Sequence, residues 1–97
     1  MHVAVVRVEL HVPRSRSLKD KRAAVRPVVE GIRNRFSLSV AEVGFLDKWQ
    51  RAEIGLAVVS GSAGHAEEVV GNVERWIWAQ PDVEVAAFDT EWHVTDG

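Results

Sequence analysis

Apolar residues recur at every second position near the start of the chain. Ala4, Val6, Val8, Leu10 and Val12 fall on one side, and Val3, Val5, Arg7, Glu9 and His11 on the other. A period of two with β-branched enrichment predicts a half-buried strand over residues 2–12, ended by Pro13. From Leu18 the period changes. At about 100° per residue, Leu18, Val25, Val29, Ile32 and Phe36 share one face, which predicts an amphipathic helix. Ser17 is placed to cap it, and Asp20 sits in the first turn, where negative charge is favoured. Pro27 inside this pattern predicts a kink between Ala23 and Pro27, or a break into two short helices.

Strand character returns over residues 37–44 and 50–60, with Ala52, Ile54, Leu56 and Val58 facing the core and residues 45–49 connecting a hairpin. After the Gly61-Ser-Ala-Gly64 break, Ser62 caps a second helix reaching about Gln80, where Pro81 stops it. Ala66, Val69, Val70, Val73, Trp76 and Ile77 share its apolar face, and Trp78 points away. Residues 83–94 form the last strand. This order predicts an α+β, ferredoxin-like βαββαβ fold as a single domain over residues 1–97. The four-stranded antiparallel sheet takes the order 4-1-3-2, with two helices on one face and the other face open. Charge pairing between the central strands predicts Arg7 opposite Glu53 and Glu9 opposite Arg51, because a two-residue shift sets Glu9 against Glu53.

Composition narrows the class. The chain has 97 residues, 46% of them apolar and 27% charged, the balance of an ordinary globular domain. It contains no cysteine, which excludes disulfides, thiolate metal ligation and a cysteine nucleophile. The N-terminus lacks the apolar run of a signal peptide, and no stretch approaches the roughly 20 apolar residues of a membrane span. A cytoplasmic location with no membrane contact is the expectation. The net charge of −2 hides a division: residues 1–36 carry nine Lys and Arg against three acids, and residues 37–97 carry three against eleven. Either an anionic partner or self-complementarity within or between molecules explains such a split.

The basic residues concentrate on one flank of the first helix. Lys19, Arg22, Arg26 and Arg33 lie together on the helical wheel, preceded by Arg14 and Arg16. Several cations at this spacing can reach successive phosphates. Glu30 lies beside them and can pair with Arg26 or Arg33, so a solvated, internally paired face is the competing reading. The open sheet face carries no aromatic residue on its two central strands, which disfavours base stacking there. Its Val3, Val5, Ala57 and Val59 suit packing of a homodimer, and Trp49, Trp78 and Trp92 are candidate interface residues. The four histidines have no ligand spacing, and Asp47, Asp89 and Glu91 have no catalytic partner in the pattern. No metal, cofactor or catalytic constellation is expected.

The combination Ser17-Leu-Lys-Asp-Lys-Arg22, Val40-Ala-Glu-Val-Gly44, Asp47, Trp49-Gln-Arg-Ala52 and Val58-Val-Ser60 resembles the YlxP-like family of small bacterial proteins of unknown function. The resemblance implies a ferredoxin-like fold. It also implies a gene neighbourhood shared with translation initiation and ribosome-binding factors, and hence a link to the ribosome. The matching positions are Lys19, Lys21 and Arg22 at the helix start and Trp49, Gln50 and Arg51 at the hairpin. Together these readings lead to a non-enzymatic module binding ribosomal or other structured RNA through Arg14, Arg16, Lys19, Arg22, Arg26, Arg33 and Arg51. The alternative is a self-assembling protein using its sheet face and tryptophans. A ligand-binding dimer follows from fold analogy alone.

Overall fold

The alternating first strand becomes a central strand of the sheet. In a computed structural model, which describes residues 1–96, the elements run β1 (His2–His11), α1 (Leu18–Phe36), β2 (Ser39–Gly44), β3 (Arg51–Ser60), α2 (Ala63–Trp78) and β4 (Glu84–Val94). The sheet order is β2-β3-β1-β4, all pairings antiparallel, the ferredoxin-like arrangement the periodicities predict. Ala4, Val6, Val8, Leu10 and Val12 are buried against Ala52, Ile54, Leu56 and Val58 of β3 and against both helices. α1 covers the β2–β3 half of the sheet, while α2 covers β3, β1 and β4.

Both helices begin where a serine oxygen can accept from a free first-turn amide. Asp20 N donates to Ser17 Oγ at 3.0 Å, and His65 N donates to Ser62 Oγ at 3.3 Å. The Asp20 carboxylate also accepts from Arg16 N at 2.9 Å, holding the turn before α1. α1 is one unbroken helix through Pro27. Pro27 and Ala23 are both exposed, so the Ala23 carbonyl that loses its amide partner faces water. α1 ends at Ser37 in the left-handed conformation, φ 54°, with Arg33 and Arg35 in the last turn where cations favour the negative helix end.

Two expectations need correction. The β1–β3 register places Glu9 opposite Glu53, Arg7 opposite Gly55 and His11 opposite Arg51. The predicted ion pairs nevertheless form, along the diagonal. Arg7 Nε lies 3.0 Å from Glu53 Oε1, and Arg51 Nε lies 3.0 Å from Glu9 Oε1. Arginine is long enough to reach a diagonal neighbour, so each carboxylate that faces a like charge is neutralised from the next position. The Val12 N to Gln50 O bond at 2.8 Å extends the same register into the loops. The apolar face of α1 is also rotated from the predicted one. Lys21, Val25, Val28 and Ile32 are buried, while Leu18, Val29 and Phe36 are half-buried.

Candidate functional site

Two surfaces collect the residues singled out by the sequence. On the flank of α1, Lys19, Arg22, Arg26 and Arg33 are all exposed, as are Arg14 and Arg16 in the preceding turn. Among the described residues none of these six forms an ion pair, and Glu30 does not reach Arg26 or Arg33. Arg33 alone is tied down: its Nη2 donates to the Val40 carbonyl of edge strand β2 at 3.1 Å. Between this flank and β2 runs a groove of about 440 Å3 bordered by Arg22, Arg26 and Arg33 and also by Glu30 and Glu42. Three acids, Asp20, Glu30 and Glu42, share this side, and others lie elsewhere: Glu67, Glu68 and Glu74 are on α2, and Glu84, Asp89 and Glu91 on β4. The charge split along the sequence thus becomes a side at α1–β2 where cations outnumber acids and an acidic side at α2–β4.

The second surface is a groove of about 810 Å3 on the open face of the sheet, where β1 ends and β3 and β4 begin. Its floor includes Glu9 and His11 of β1, Arg51 of β3 and Glu84 of β4. A bulge leaves Ala86 unpaired in β4 at this edge, which locally bends the strand. The loop between β2 and β3 forms the wall and presents Asp47, Lys48 and Trp49. His11 Nδ1 lies 3.4 Å from Glu84 Oε2. Among the described residues no three His, Cys, Asp or Glu side chains are placed to hold a metal ion.

Lys21 builds that wall. Its side chain is 1% exposed, and its Nζ donates to the Phe45 carbonyl at 2.7 Å and to the Arg51 carbonyl at 3.2 Å. Glu42 Oε1 lies 3.3 Å from the same ammonium, without hydrogen-bond alignment, and is otherwise unpartnered among the described residues. Phe45 adopts φ 56°, a left-handed conformation unusual for a bulky residue, and the Lys21 bond to its carbonyl holds it there. Gln50 Nε2 donates to the carbonyls of Pro13 and Ser15, fastening the loop to the turn that carries Arg14 and Arg16. The Arg51 guanidinium sits 3.9 Å above the Phe45 ring and also bonds Glu9. Arg51, expected among the phosphate contacts, is therefore committed to holding the groove.

The sequence reading missed Lys21 as a structural centre, because a lysine three residues from a polar flank reads as solvated. The available signal was its wheel position: Lys21 lies one turn before Val25 and two before Val28, on the buried side. The three candidate tryptophans do not form one patch. Trp49 (57% exposed) and Trp78 (61% exposed) lie toward the groove end of the sheet. Trp92 stands opposite Ala4, at the far end and on the helix side. Val5 and Val59 are exposed on the open face, and Val3 and Ala57 are half-buried there. No helix among the described residues is long and apolar enough to cross a membrane.

A family model described as "Protein of unknown function (DUF503)" matches residues 3–90. The chain is also similar to an uncharacterised protein, YlxP, of Bacillus subtilis (strain 168). The two are 37% identical over 76 residues, covering 78% of this chain and 83% of the relative.

Proposed function

The chain belongs to the DUF503 family, whose description names no activity, and from that premise we propose a non-enzymatic module that binds structured RNA, ribosomal RNA among the candidates, through the flank of α1. The supporting observation is the row of cations without carboxylate partners: Arg14, Arg16, Lys19, Arg22 and Arg26, with Arg33 anchored at the end of the row. Side chains on one helix flank recur at spacings that reach successive phosphates, and arginine matches phosphate oxygens in bidentate geometry. Recognition of this kind is carried by the backbone of the nucleic acid and weakens with salt.

The test is binding of ribosomal RNA fragments across about 50 to 200 mM salt. Wild-type protein is expected to bind at the low end with a steep negative salt slope. The double variant Arg22→Glu, Arg26→Glu should bind roughly tenfold or more weakly, with a slope reduced by about 1 for each cation removed. Undetectable association at low salt, or a variant indistinguishable from wild type, rules the reading out.

A second reading rests on Val5 and Val59, exposed on the open face. A second copy apposing its own valines would bury them in an isologous contact. Sedimentation velocity separates the possibilities. A dimer that persists as salt rises, and dissociates on Val59→Asp, supports this contact. A dimer that dissociates with salt points to basic and acidic sides meeting. A monomer at all concentrations excludes self-association.

A further inference from the structure

We infer that the groove at the end of the open sheet face takes an unpaired, amino-bearing nucleobase, stacked on Trp49, from an RNA whose phosphates lie on the α1 flank; this deepens the RNA reading and rests on it. The wall is rigid. Lys21 fixes the backbone at Phe45 and Arg51, Gln50 ties the loop to the Pro13–Ser15 turn, and Arg51 is clamped between Phe45 and Glu9. The indole that this wall carries is nonetheless 57% exposed and makes no hydrogen bond among the described residues. An exposed aromatic side chain at a groove mouth, on a loop anchored on both sides, is a stacking platform, and stacking accepts any flat base.

The charge of the groove decides which part of a nucleotide enters. Glu9, Asp47 and Glu84 line it against two cations, Lys48 on the wall and Arg51 on the floor, and Arg51 is already neutralised by Glu9. Three carboxylates against two cations leave the interior net negative, which favours an uncharged base over a phosphate. Asp47 has no partner among the described residues, and Glu84 has only His11 at 3.4 Å. Both carboxylates remain free to accept from exocyclic amino groups, which adenine, cytosine and guanine carry and uracil lacks. The basic surface reaches this mouth without a gap in the chain. The turn with Arg14 and Arg16 is hydrogen-bonded to Gln50, the neighbour of Trp49. A strand whose phosphates cross the start of α1 therefore passes the groove with a base free to enter.

The experiment measures anisotropy of labelled single-stranded oligocytidine and oligouridine, with inorganic polyphosphate as competitor, against the full chain at one low salt concentration. Oligocytidine should bind more tightly than oligouridine. Trp49→Ala should weaken oligocytidine about 5- to 100-fold while leaving polyphosphate competition unchanged, and Trp49→Phe should restore most of the loss. Asp47→Asn with Glu84→Gln should narrow the difference between the two oligonucleotides. Equal binding of the two by wild type, or an unaffected Trp49→Ala variant, overturns the base site and leaves the phosphate reading standing. If wild type binds neither oligonucleotide nor polyphosphate, both readings fall together. Thermal melts of each variant confirm folding, which replacing exposed Trp49 should leave intact.

Discussion

Lys21→Met is expected to cost about 3–5 kcal/mol of folding stability, the usual scale when one partner of a buried charged pair is removed. Methionine keeps the apolar stem of the side chain but not the ammonium. The Phe45 and Arg51 carbonyls lose their donor, and the buried Glu42 oxygen loses its counter-charge. Phe45 also loses the bond that holds it in the left-handed region, where a non-glycine residue is strained by about 1–3 kcal/mol. A domain of this size has only about 5–15 kcal/mol in total. At roughly 4–8 °C per kcal/mol, the melting temperature should fall by more than about 12 °C. Urea unfolding gives the free energy directly. Adding Glu42→Gln should recover part of the loss, because it removes the uncompensated charge but not the two orphaned carbonyls. Lys19→Ala, on the exposed side of the same turn, should stay within about 0.5 kcal/mol of wild type. A Lys21→Met cost no larger than that of Lys19→Ala would show that the ammonium is not a structural centre.

The second large effect concerns the contact between the helices. Gly31 of α1 lies beneath the indole of Trp76 on α2. A Cβ at position 31 would lie 2.5 Å from Trp76 Cζ2 and closer still to Cη2. The ring has little freedom to yield, since it meets Phe36 edge-on at 6.1 Å and carries the Arg35 guanidinium 5.8 Å from its centroid. On helix propensity alone, Gly31→Ala should stabilise α1 by about 1 kcal/mol. Overpacking costs typically about 1–3 kcal/mol. The net expectation is a loss of about 1–2 kcal/mol, opposite in sign to the propensity, and Gly31→Leu should lose more. The diagnostic measurement is a double-mutant cycle with Trp76→Leu: once the large ring is gone, Gly31→Ala should become neutral or stabilising. Additive effects in that cycle would place the strain elsewhere.

These two positions also show where reading the chain stops. Gly31 is one helical glycine in a sequence, and Trp76 is one apolar residue on another helix; only their crossing makes the missing Cβ necessary. The groove has the same origin. Glu9, His11, Asp47, Trp49, Arg51 and Glu84 are scattered over the chain and meet because β3, β1 and β4 are neighbours in the sheet. Sequence reasoning found no aromatic residue on the two central strands and named Trp49 only as a hairpin or interface contact, because nothing local shows that a loop brings its indole to the edge of a groove. The basic flank was readable, because residues three and four apart on a helix are neighbours whatever the rest of the chain does. Whether those cations were already paired was not, since helical spacing puts Glu30 within reach of Arg26 and Arg33 but does not say which way the side chains turn.

The sequence by itself determined the elements, their order and which side of the two central strands is buried. Those follow from local periods, from serine caps and from the short connections that leave few ways to arrange two helices on one sheet. Tertiary structure decided what those local rules leave degenerate. A two-residue slip between β1 and β3 keeps every apolar residue on the same face, so periodicity cannot select a register. Charge pairing could not select it either, because arginine reaches both the opposite and the diagonal carboxylate. The orientation of α1 was decided in the same way, by the Phe45 and Arg51 carbonyls that draw Lys21 inward, partners supplied by a hairpin more than twenty residues away.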